Sequence, residues 1–103
     1  MQTTTWPDKS PDDVEDVFFD YSDFLYIGET ITEATITVVV INGKDANPVA
    51  MKVGNRTINA DTGVVTQRIQ GGLSGVRYGV KCLAELSGGR KETLVGLFDV
   101  ASI

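Results

Sequence analysis

Wherever hydrophobic and polar positions form a readable pattern in this chain, they alternate with a period of two. The clearest case follows residue 77. Tyr78, Val80, Cys82, Ala84 and Leu86 fall on one side, against Arg77, Lys81 and Glu85 on the other. Ser87-Gly88-Gly89-Arg90 closes a hairpin, and the return strand places Leu94, Phe98 and Val100 on its inner face. Thr30 to Ile41 is rich in β-branched residues, with a phase slip between Ile31 and Ile36 that predicts a bulge near Glu33-Ala34. Val14 to Tyr21 reads as an earlier strand, broken by Ser22-Asp23 before Phe24-Leu25. Val49 to Val53 and Asn55 to Asn59 read as two short strands across Gly54, and Val64 to Ile69 as another after the turn Asp61-Thr62-Gly63. No segment repeats apolar residues at helical spacing over three turns. About seven short strands at these intervals predict an all-β sandwich, with Phe19, Ile36, Val38, Tyr78, Val80, Cys82, Leu94 and Phe98 in its core.

One local pattern points to a sandwich of immunoglobulin or fibronectin-III type. Leu73-Ser74-Gly75 followed by Tyr78 and alternating apolar residues resembles a tyrosine corner, whose hydroxyl bonds back to the backbone a few residues upstream. Residues 1–13 differ in character. They are polar and contain Pro7 and Pro11, so they predict an extended N-terminal arm ahead of a sandwich domain at 14–103. That arm carries the only tryptophan, Trp6. Two placements follow: docking on a neighbouring subunit and becoming ordered there, or folding back over one end of the sandwich.

Composition narrows the chemistry. With 103 residues the chain can bury one sizeable core, and a formal charge of −5 argues against a nucleic-acid-binding face. The absence of histidine removes histidine-based nucleophile pairs and histidine metal sites. One cysteine, Cys82, cannot form an internal disulfide, and its alternation with Val80 and Ala84 makes it a small buried hydrophobe. The longest apolar run, Val38 to Ile41, is strand-sized, so no membrane association is expected. The first residues also lack the regions of a signal peptide.

Three motifs invite chemistry. Asp61-Thr62-Gly63 resembles the triplet of a retroviral-type aspartic protease subunit, yet Asn59-Ala60 precedes it where an apolar strand belongs, so Asp61 reads as a turn residue. Asp12, Asp13, Glu15, Asp16, Asp20 and Asp23 are acidic but lack a calcium-loop spacing. Gly71-Gly72 and Gly88-Gly89 open no helix and so make no phosphate loop. No catalytic, metal or cofactor residues are assigned, and no cofactor is expected.

The stretch Trp6-Pro7-Asp8-Lys9-Ser10-Pro11-Asp12-Asp13-Val14 resembles the opening of a family of small tailed-bacteriophage and prophage proteins. The likeness continues through Asp20-Tyr21-Ser22, Leu25 and Gly28-Glu29-Thr30-Ile31, and returns in Leu73-Ser74-Gly75 to Tyr78 and in Gly88-Gly89-Arg90. Val17, Phe18 and Tyr21 depart from its pattern. The resemblance implies an immunoglobulin-like virion component, a fibre–tail or head–tail adaptor without enzymatic activity. Its partners would be portal or neck, tail or fibre proteins, and it would pass from the host bacterial cytoplasm into the virion. A symmetric homo-oligomer in the particle is left open. On this reading Trp6, Pro7, Lys9 and Asp12 form an interface, while Asp20, Tyr21, Ser22, Gly28 and Tyr78 are structural. The alternatives are a capsid decoration protein or a sandwich that binds carbohydrate or a host surface; the protease subunit is the remote one.

Overall fold

A computed structural model describes residues 1–101 and contains, in chain order, strands β1 (Gln2–Thr5), β2 (Val14–Asp20), β3 (Ile31–Asn42), β4 (Lys52–Asn59), β5 (Val64–Gln70), β6 (Arg77–Leu86) and β7 (Lys91–Asp99). A short 3-10 helix, Pro48–Met51, precedes β4. The last two residues of the expected 14–103 sandwich lie outside the described residues. Four strands form one sheet in the order β1-β7-β6-β3, and three form the other in the order β2-β5-β4. The fold is an all-β sandwich.

The period of two explains why the sheets close on each other. Along β6, Tyr78, Val80, Cys82, Ala84 and Leu86 are all buried, and Val17, Phe19, Val65 and Ile69 meet them from the facing sheet. Tyr21, just past β2, reaches across this core, and its hydroxyl donates to the carbonyl oxygen of Cys82 on β6 at 2.8 Å. A buried hydroxyl needs such a partner, and this bond ties the two sheets together. The expected bulge is present: the register of β3 on β6 shifts between Ile31 and Glu33, which keeps both Ile31 and Ile36 inward.

Three details differ from the sequence reading. What remains of the two short strands expected across Gly54 is one strand, β4, whose register on β5 shifts between Val53 and Thr57, with Gly54 at a φ of 67° inside the irregularity. Residues 49–51, expected in the first of those strands, belong instead to the 3-10 helix that Pro48 opens. Leu94 is only half-buried, because among the described residues no strand lies beside β2 to cover that side of the sandwich.

The N-terminal residues are extended but do not project. Gln2–Thr5 pairs parallel with β7, from Gln2 opposite Leu94 to Thr5 opposite Leu97. Trp6 N–H continues the ladder to the Leu97 carbonyl at 2.7 Å, and Lys9 N–H reaches the Asp99 carbonyl at 3.0 Å. The idea of an arm ordered only on a neighbour therefore gives way to the alternative placement, with Trp6 folded back on the sandwich. Backbone hydrogen bonds hold the segment, which is why its polar side chains gave no strand signal.

A candidate interface groove

Trp6 sits where the chain leaves β1. Its ring lies on the backbone of Gly96, so close that a Cβ there would approach the ring to 2.2 Å. It meets Phe19 edge-on with centroids 5.5 Å apart and stacks against Phe98 at 6.2 Å. Phe98 in turn stacks on Tyr78 at 5.7 Å. An aromatic series thus runs from the sandwich's open side into its core, and glycine at 96 makes room for its outermost member.

Lys9 anchors the next part of the segment. It is 1% exposed, and its ammonium donates to the carbonyls of Gly71 at 2.7 Å and Ser10 at 2.9 Å. Burial holds its pKa below the ordinary lysine value, while Asp13, Glu15 and Asp12 pull the other way. Lys9 also accepts a bond from Ala101 N–H at 2.7 Å, so one residue joins the N-terminal segment, the β5–β6 loop and the end of the chain. Its role is that of a staple.

Between this segment and β2 runs a groove of about 350 Å³ in its main part, lined by Trp6, Pro7, Lys9, Val17, Phe18 and Phe98. A second depression, about 200 Å³, continues past Trp6 toward Phe24 and Leu94. The floor is apolar. Along the rim stand Asp8, Glu15 and Asp16, with Asp20 beside the second depression. Phe18 is 61% exposed, since the alternation that buries Val17 and Phe19 turns it outward. Asp16 is paired across the strands with Arg68, at 2.9 Å, and this contact lowers the aspartate's pKa.

Of the four expected interface residues, Trp6, Pro7 and Lys9 line this groove, Lys9 from a buried position. Asp12 does not join them. It borders a separate hollow with Asp45, Met51 and Gly72, because the turn at Pro11 carries it around the end of the sandwich. Phe18, which also lines the groove, was not singled out as a candidate contact residue from sequence, although its phase between Val17 and Phe19 turns it outward.

Asp20, Tyr21, Ser22, Gly28 and Tyr78 lie at turns or at core contacts. The carboxylate of Asp20 accepts from Ser22 N–H at 2.9 Å, which lowers its pKa and fixes the turn after β2. Gly28 has a φ of 80° in the turn closed by Glu29 N–H and the Tyr26 carbonyl at 2.9 Å. Arg90 secures the same loop through Glu29 at 2.5 Å and the Phe24 carbonyl at 2.6 Å. Tyr21 is fully buried in the core contact described above. The Tyr78 hydroxyl accepts from Leu73 N–H at 2.9 Å, the back-bond of a tyrosine corner, and donates to Asp45 at 2.7 Å.

The other motifs lie apart from the groove. Asp61 is in the β4–β5 turn, where its N–H donates to the Asn59 side chain at 3.1 Å. Asp13 caps Ser10 N–H at 3.1 Å, Asp20 accepts from Ser22 and Asp16 pairs with Arg68, so these three early acidic residues have separate partners. Among the described residues no group of three His, Cys, Asp or Glu side chains is placed to hold a metal ion. Cys82 is free and buried, and burial pushes its thiol pKa up.

A fold with its polar chemistry spent on turns and staples, and a groove open along one side, defines a structural β-sandwich module. The sequence model of the family described as podophage GP4 fiber-tail adaptor protein gp77 matches residues 9–96. That covers most of the chain, and the chain belongs to this family. It is a structural, adaptor-type protein of a tailed phage. No curated protein matches it significantly.

Proposed function

We propose that this protein is a non-enzymatic component of the virion that joins tail and fibre proteins and contacts one of them through the groove between Trp6 and Phe18. The observation that carries this is the family match over residues 9–96. The physical features support it. An exposed phenylalanine beside a half-buried tryptophan is the kind of aromatic anchor that dominates protein interfaces. A charge of −5 suits contact with protein rather than with the packaged genome. Among the described residues no helix is long and apolar enough to cross a membrane.

Deleting the gene from its phage and supplying the chain from a plasmid tests this reading. Particles from the deletion should carry tails without fibres, and the plasmid-borne chain should restore the fibres. Fully fibred particles made without the chain would contradict it.

A further inference from the structure

The sandwich is asymmetric at its two long sides. In an immunoglobulin constant-type sandwich, one sheet holds strands A, B, E and D and the other holds C, F and G. Here β2, β5 and β4 occupy the places of B, E and D, and β3, β6 and β7 those of C, F and G. The first strand is the exception. It pairs with β7 in the opposite sheet, so the place beside β2 holds no strand among the described residues.

The other long side is closed. Lys52 reaches from β4 to the carbonyl of Ile36, and Arg56 to that of Ala34, both at 3.0 Å. These two carbonyls lie two residues apart on the terminal strand β3, so basic side chains occupy that strand's free edge. The edge of β2 has no such cover among the described residues. Instead it borders the apolar groove, with depressions on either side of Trp6. An uncovered edge beside an apolar trough is a template for another strand.

We propose that β2 receives a further strand from a partner: an extended basic segment lying antiparallel along its free edge. Alternate apolar side chains of that segment enter the groove on the two sides of Trp6. The residues between them point outward, beside Asp20 and beside Asp16 with its Arg68 partner on β2; at Asp20, which has no ion pair among the described residues, lysine or arginine would be the favourable cross-strand neighbour. Asp8 and Glu15 add to the negative rim, and the only lysine in the groove, Lys9, is committed to carbonyls. Assigning the donor to a virion protein rests on the adaptor reading given above.

The test uses the full chain and a short synthetic peptide alternating valine and lysine. Hydrogen exchange should slow at the outward-facing amides of β2, and Trp6 emission should shift on binding. The affinity should weaken with salt and fall about tenfold in Phe18→Ser, a neutral change at an exposed position whose variant is expected to fold. A peptide alternating valine and glutamate should bind far more weakly. Absence of protection on β2, protection on β3 or β4 instead, or equal binding of the two peptides overturns the proposal. Particle analysis separates the two readings. If the tagged chain is found between tail and fibre but β2 binds no strand, the adaptor role stands and the added strand fails. If β2 binds the peptide but the chain is missing from particles, a virion donor is ruled out.

Discussion

Tyr78 serves the fold through both ends of its side chain. Its ring is fully buried against Phe98, and its hydroxyl both accepts from Leu73 N–H and donates to Asp45. Tyr78→Phe keeps the ring but leaves a backbone donor without its partner, which should cost about 1–3 kcal/mol in a urea titration. An unchanged midpoint would show that the corner contributes nothing. Tyr21, Tyr78 and Cys82 share a second property: burial raises the pKa of each above its ordinary 10.0, 10.0 or 9.0. Groups whose pKa is raised on folding add stability that is complete below those ordinary values and is lost as pH climbs past them. Lys9 acts in the opposite sense, because its pKa is lowered from 10.5 and its contribution grows as pH approaches that value. Three groups outweigh one, so stability should fall between about pH 9 and about pH 11; a rise over that range would contradict the assignment. The tyrosine corner was legible because its partners are five residues apart. The bond from Tyr21 to Cys82 was not, since a separation of 61 residues leaves no local pattern.

Among the elements, β2, β3, β5, β6 and β7 follow from alternation because each buries one face. β1 does not, because Gln2–Thr5 is exposed along its whole length and is held by backbone pairing alone. Its sequence is compatible with a free arm, and only the contact of Trp6 with Gly96 and the two phenylalanines decides otherwise. Gly96→Ala should displace the Trp6 ring, costing about 1–3 kcal/mol and shifting tryptophan emission to longer wavelength. An emission spectrum like that of the parent protein would place the ring elsewhere. Removing residues 2–8 takes away both β1 and Trp6, and should lower the melting temperature by about 10 °C or more. A melting temperature within about 2 °C of the intact chain would restore the picture of a free arm. The groove itself was half legible. Trp6, Pro7 and Lys9 stood out as a motif, but that β2 forms the opposite wall depends on where the first strand pairs.

At the scale of the whole molecule, one long side is closed by Lys52 and Arg56 and the other is left open with an acidic rim. A sandwich of this size gains nothing for its own stability from an exposed Phe18, whereas an interface would. The family match places this chain among tail-fibre adaptor proteins, and under the proposed function the open side makes the contact such a protein needs. The most direct measurement is a cryo-electron-microscopy reconstruction of the phage's tail and fibre junction, with the chain identified by a fused tag. The account predicts the sandwich between tail and fibre, with its β2 side against a neighbouring protein. Density for the tagged chain on the capsid surface, or at the junction with the β2 side facing solvent, would contradict it.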